Sequence, residues 1–182
     1  TCIQNQPEDF ATTALAGFSS IYARHVRPVR SGVVRSTATP EGKVAVVVGG
    51  GSGHYPAFAG FVGPGLADAA VAGDVFASPS AHGVAHVCRM AHRGGGILLG
   101  FGNYAGDVMN FGLAGERLTS EGIDVRILHV TDDVASAPAE KANERRGVAG
   151  DLAVFKIAGA SSTSPTGSGS LTAPSSFAST SV

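Results

Sequence analysis

Tryptophan is absent from the 182 residues, and cysteine occurs only twice, as Cys2 and Cys88. Two cysteines so far apart make neither a disulfide framework nor a CxxC redox or zinc pair, which fits a reducing compartment and a cytoplasmic location. Charge is also scarce: 15% of residues are charged, 13 basic against 14 acidic, for a net charge of −1. No basic footprint is available for nucleic acid or a membrane surface, so neither is an expected partner and the ligand is expected to be small. No apolar run approaches the roughly 20 residues that cross a bilayer. The polar opening from Thr1 shows no signal-peptide pattern. At roughly 100–200 residues per domain, the length allows one domain with a real core. Chemistry that needs a second lobe is therefore expected to draw on another chain or domain.

Glycine is what the sequence has in excess, 26 residues, about double the ordinary usage of roughly 7%. The glycines gather at the ends of apolar runs. Residues 7–22 place Phe10, Ala14, Leu15, Phe18, Ile21 and Tyr22 at helical spacing behind Pro7, which predicts a first helix. Val44–Val48 is a short, mostly β-branched run ending at Gly49-Gly50-Gly51, the pattern of a strand buried on both faces. Similar runs at 96–101, 123–130 and 152–157 are read as further strands, with helical segments near 81–93 and 107–121. Strands alternating with helices predict an α/β fold with a largely parallel sheet and helices on both faces. In such sheets ligands bind beyond the carboxyl ends of the strands. From 161 to 182 the composition changes: 13 of 22 residues are Ser or Thr and none is charged. That segment is expected to be a disordered tail following a folded unit of residues 1–160.

The run Gly49-Gly50-Gly51-Ser52-Gly53-His54 follows a strand, where backbone N–H groups can approach a bound oxygen closely. It matches none of three familiar loops. A Walker loop would end in Gly-Lys-Ser/Thr, a dinucleotide fingerprint needs another glycine three positions on, and a nucleophile elbow around Ser52 needs glycine where His54 stands. A ligand cradle and a plain tight turn both remain open readings of the run. His54 is either a hydrogen-bonding or proton-shuttling imidazole at the mouth of the sheet or incidental to it. Asp107, at the start of a predicted helix, is a helix-capping carboxylate that could also take a proton. Asp74 could be a turn residue or a second acid. His82 and His86 stand four apart on a predicted helix without a third ligand at fixed spacing, so a solvated face is expected and no metal site is assigned. Asp132-Asp133 after a strand is read as an acidic turn before a Mg²⁺ site, and Arg145-Arg146-Gly147 as a short basic turn.

Four segments then carry a resemblance: Gly49–His54, Gly73-Asp74-Val75-Phe76-Ala77-Ser78-Pro79-Ser80, Asn103-Tyr104-Ala105-Gly106-Asp107-Val108-Met109-Asn110-Phe111 and Arg145-Arg146-Gly147-Val148-Ala149-Gly150. Together, in this order, they resemble the substrate-binding K domain of dihydroxyacetone kinases, over about residues 5–160. The Gly-His-Tyr-Pro and Gly-Asn-Tyr-Ala-Gly-Asp variants look like the branch acting on four-carbon ketoses such as erythrulose. The resemblance implies the first half of a K domain, serving a phosphotransferase that phosphorylates a terminal hydroxyl of a short ketose. In the family a histidine holds the ketone carbon covalently, and that histidine lies beyond the similar region, so no residue here inherits the role. His54 and Asp107 match the second histidine and the aspartate that bind the substrate hydroxyls, with Asp107 the implied base. Gly51 matches a backbone contact, and Ser52 and Gly53 complete the expected substrate-binding set. Gly102 stands where a substrate-holding lysine is common. ATP and Mg²⁺ are bound in the family by a separate L domain or subunit, or the phosphate comes from a phosphoprotein, so neither is expected on this chain. The family also implies homodimerisation. The chain alone is expected to be inactive, and a non-catalytic ketose-binding or regulatory module is the competing expectation.

Overall fold

The computed structural model describes residues 6–162. The predicted tail falls on 163–182, outside the described residues, apart from Ser161 and Ser162 at the end of the last helix. A 3-10 turn at Pro7–Asp9 leads into α1 (Phe10–Ile21), as the apolar spacing predicts. Two short strands follow, β1 (Val26–Val29) and β2 (Gly32–Arg35), then β3 (Ala45–Ser52) and β4 (Ala69–Val75). The alternation then becomes regular: α2 (Ala81–Ala91), β5 (Ile97–Gly102), α3 (Ala105–Ser120), β6 (Val125–Val130) and α4 (Gly150–Ser161).

The six strands form one sheet in the order β1-β2-β4-β3-β5-β6. β4, β3, β5 and β6 run parallel, while β1 and β2 form an antiparallel hairpin that joins β4 antiparallel. The sheet is thus largely parallel, with an antiparallel edge. The hairpin turns at Ser31, which takes a left-handed φ of 65°. Its outer strand carries Pro28, tolerated because a sheet edge demands no N–H there.

Side chains along β3 alternate between two buried faces. Ala45 and Val47 pack under α2 and α3 with Leu99, Phe101, Phe111 and Leu118, and Val46 and Val48 pack under α1 and α4 with Val33, Ala70 and Phe155. Both faces of the central strand are therefore dry, which is why it reads as a continuous apolar run rather than an alternating one. Helices cover both faces, as expected.

The run at 152–157 corrects an expectation: it lies inside helix α4 and is not a strand. Asp151, Phe155 and Gly159 are its buried positions, spaced four apart along one helical face. A short apolar run cannot by itself distinguish a buried strand from a helix, and the helical stop and start signals here come from elsewhere in the chain. Strands β1, β2 and β4 also escape the periodicity reading. The first two have only four residues each, and β4 is built largely of alanine, a weak strand former.

Candidate functional site

β3 and β5 are neighbours in the sheet, but their onward connections diverge. The chain leaves β3 towards β4 on one side, and leaves β5 through α3 towards β6 on the other. The carboxyl ends of β3 and β5 therefore flank a topological switch point, where open α/β sheets leave a crevice. His54 lies just beyond β3 and Asp107 in the first turn after β5. Topology alone thus brings together the two side chains singled out by the sequence.

The glycine run is shaped by close packing. A Cβ at Gly49 would stand 2.8 Å from the Val71 carbonyl oxygen, and one at Gly51 would stand 2.7 Å from the Ala77 nitrogen. Gly53 adopts a φ of +104°, which L side chains rarely adopt. The run therefore lets the turn after β4 lie directly against the end of β3. That contact carries Phe76 over His54, with ring centroids 5.0 Å apart at 74° in an edge-on arrangement. Phe76 is exposed and holds a left-handed φ of 49°, an uncommon conformation for a bulky side chain. Ser52 donates its hydroxyl to the Gly73 carbonyl oxygen at 2.7 Å, tying the ends of β3 and β4 together. That bond directs the Ser52 proton to backbone rather than to His54. Asp74 accepts from the Val75 N–H at 2.7 Å, an ordinary turn role.

Asp107 occupies the third position of α3 and is only 8% exposed, with Oδ1 buried and unpartnered among the described residues. Burial pushes its carboxyl above the ordinary range, while the Ser78 side chain and the charge of His54 work in the opposite direction. Ser78 lies against Gly106, where a Cβ would be 3.2 Å from the Ser78 Cβ, and accepts from Asn110 Nδ2 at 3.3 Å. His54, Phe76, Ser78 and Asp107 thus converge from the turns after β3, β4 and β5.

A second buried carboxyl lies alongside. Asp151, in the first turn of α4, is 9% exposed with Oδ1 unpartnered among the described residues. Burial first, then the charges of Asp132 and Asp107, raise its pKa to about 7. Asp132 is engaged by backbone: its carboxylate accepts the Val148 and Gly150 N–H groups at 2.7 and 2.8 Å and holds the start of α4. Those bonds and their neighbours outweigh burial and lower its pKa. Arg145, in the basic turn, donates Nε to the Ala137 carbonyl oxygen at 2.9 Å. Tyr104 donates its hydroxyl to Gly147 O at 3.1 Å, and its ring covers Gly102. Asp151 escapes sequence reading because the run at 152–157 is read as a strand, so no helix start is expected around it. Phe76 and Ser78 lie in a motif the sequence supplied without indicating what they touch.

A family model described as the Dak1 domain matches residues 16–173. The chain belongs to the Dak1 family. It is 59% identical over 160 residues to an L-erythrulose 1-kinase of Mycolicibacterium smegmatis, covering 88% of this chain and 28% of that protein. It is 43% identical over 159 residues to the dihydroxyacetone-binding subunit of a PTS-dependent dihydroxyacetone kinase of Lactococcus lactis, covering 87% and 48% respectively. Among solved structures, the dihydroxyacetone kinase of C. freundii in complex with AMP-PNP and Mg²⁺ superposes with a TM-score of 0.79 at 38% identity, over 89% of this chain and 30% of that one. A dihydroxyacetone kinase operon co-activator superposes at 0.75 with 32% identity, over 82% and 46%. The Dak1 chain thus spans 28% of the erythrulose kinase and about half of the dihydroxyacetone-binding subunit. Its likeness to the erythrulose-kinase branch, read from the variants at 53–56 and 102–107, is supported by these identities.

Proposed function

We propose that this Dak1 chain carries part of a ketose-kinase substrate site, holding dihydroxyacetone or a four-carbon ketose such as erythrulose so that a terminal hydroxyl can be phosphorylated. The observation that carries the reading is the convergence of His54 and buried Asp107 at the switch point between β3 and β5. In this reading the N–H groups of Gly51, Ser52 and Gly53 and the His54 imidazole hydrogen-bond the ketose oxygens. Asp107 accepts the proton of the attacking hydroxyl, a task that suits a carboxyl raised by burial. Phosphoryl transfer depends mainly on positioning and electrostatics, so a rigid seat with one base is the contribution expected of a substrate domain.

ATP with Mg²⁺, or a phosphoprotein, supplies the phosphoryl group from a separate domain or subunit in this reading. Among the described residues no group of three His, Cys, Asp or Glu side chains is placed to hold a metal, and the glycine run lacks the lysine of a Walker loop. A homodimer and a cytoplasmic location belong to the same proposal. Among the described residues no helix is long and apolar enough to cross a membrane.

One observation favours a second reading. The co-activator that shares this fold is named for a role in an operon rather than for phosphorylation, so a ketose-binding module without turnover is the alternative. Calorimetric titration with dihydroxyacetone and with erythrulose tests the seat. Saturable binding that H54A weakens is expected, and its absence overturns the ketose assignment. Adding the ATP-binding subunit of a dihydroxyacetone kinase with ATP and Mg²⁺ separates the two readings: turnover supports the kinase role, and binding without turnover supports the module. Ketose phosphorylation by the chain with ATP and Mg²⁺ alone would overturn placement of the donor elsewhere.

A further inference from the structure

The opposite end of the sheet holds a second polar cavity, of about 120 Å³. Asp68 stands just ahead of β4, Arg93 just beyond α2 on the way to β5, and Arg35 ends β2, so the cavity lies at the amino ends of the parallel strands. It is remote from His54 and Asp107, which lie at the carboxyl ends. Arg27, Arg35, Arg93, Thr37, Thr39 and Asp68 contribute to its walls.

Two kinds of cation meet there. Arg35 is fully committed: Nη1 to Asp68 Oδ1 at 2.9 Å, Nε to the Thr37 hydroxyl at 3.0 Å and carbonyl at 3.2 Å, and Nη2 to the Ala38 carbonyl at 2.6 Å. Asp68 is committed too, since Oδ2 accepts from Lys43 Nζ at 2.5 Å and from the Val46 N–H at 2.9 Å. Its single negative charge is already shared by two buried cations. Arg27 and Arg93 are different, because among the described residues neither side chain makes a hydrogen bond or an ion pair. The lining residues and the Lys43 behind them therefore set four cations against Asp68, the one carboxylate among the lining residues, and both of its oxygens are already engaged. Uncompensated like charges around a concave surface favour a bound anion, and a guanidinium fork matches an oxyanion in shape as well as charge.

We propose that this cavity binds a phosphate-sized oxyanion, either inorganic phosphate or the phosphate group of a small sugar phosphate. Arg27 and Arg93 supply the charge, and the Thr37 and Thr39 hydroxyls supply further donors. Arg35, locked by its four bonds, fixes the wall on which the threonines stand. At about 120 Å³ and open to solvent, the cavity has room for a tetrahedral oxyanion. This assignment does not rest on the ketose reading and concerns a different end of the molecule.

The test is a titration of the chain with inorganic phosphate, and in parallel with glycerol 3-phosphate, at ionic strength held constant with chloride. Binding is read by heat and by backbone amide shifts. Saturable one-to-one binding is expected, with shifts concentrated at residues 35–39 and around Arg93. The R27Q/R93Q variant, altered only at surface side chains, should bind about tenfold more weakly or worse, and R93K should recover part of the loss because it restores charge without the fork. Tighter binding of glycerol 3-phosphate would identify a sugar phosphate as the ligand, and tighter binding of inorganic phosphate the free anion. Heats that chloride reproduces, or an R27Q/R93Q variant that binds as well as the parent, would overturn the site.

Discussion

Asp107 and Asp151 present one physical problem twice: a carboxyl in the first turn of a helix, buried beyond nine-tenths, with an oxygen that nothing among the described residues engages. A helix amino end favours the anion, whereas burial favours the acid. Burial prevails at both. For Asp151 the sign of the pH dependence follows. In the unfolded chain an aspartate titrates near 3.9, and in the folded chain this one titrates at about 7. Between those values the native state holds a proton that the unfolded state has released, so stability falls as pH rises through that window and levels off above it. Asp107 adds to the slope in the same direction. D151N, which cannot ionise, is expected to be more stable than the parent at pH 8, by an amount that shrinks towards pH 4, with urea unfolding at several pH values as the measure. A variant that loses stability equally at pH 5 and pH 8 would show that Asp151 serves as an ionised partner rather than a buried acid. At Asp107 the expected signature is functional. With an ATP-binding partner present, D107N should cut turnover by roughly 10²–10⁴ while ketose affinity changes much less, because only the transition state needs the proton acceptor.

At the scale of elements, α4 shows what a local reading of sequence can and cannot supply. Val44–Val48 was legible as a buried strand because both of its faces are dry and glycines end it, and α1 was legible because its apolar residues recur at helical spacing. Residues 152–157 looked equally strand-like. What makes them helical is tertiary: Asp132, eighteen residues ahead of Gly150, accepts the N–H groups at the start of the helix, and Gly159 lets the helix press on the chain at Leu66. A Cβ at 159 would meet the Leu66 carbonyl oxygen, so backbone rather than side chain sets the approach. The site was partly legible for the same kind of reason. His54 and Asp107 sit where strands end, which periodicity reveals, but the contact of Phe76 on His54 depends on β3–β4 packing, which it does not. D132A should therefore cost about 1–2 kcal/mol in urea unfolding, the usual loss when a helix amino terminus gives up its capping side chain. G159A should cost about 1–3 kcal/mol through overpacking. If D132A were neutral, α4 would owe its start to packing of Phe155 alone.

Across the whole molecule, polar groups lie at the two ends of the sheet and apolar ones between its faces and the helices. The carboxyl ends of the strands carry the under-satisfied groups, Asp107 and Asp151. The amino ends carry a satisfied one: Asp68 joins Arg35 of β2, Lys43 ahead of β3 and the Val46 N–H within it. This junction sits where the antiparallel hairpin meets the parallel sheet, so it fixes the register of β2 against β4 at that boundary. Forming such a buried group costs much of what it returns, but breaking it leaves cations stranded. D68A removes the carboxylate and leaves Arg35 and Lys43 facing each other with little access to water. It should cost about 3–5 kcal/mol in urea unfolding, the usual toll of an uncompensated buried charge. The double variant D68A/K43M removes one stranded cation and should recover part of that loss. A loss below about 1 kcal/mol for D68A, in the range of exposed ion pairs, would mean that water reaches Arg35 and Lys43 through the neighbouring cavity, and that the hairpin is held by its ladder alone.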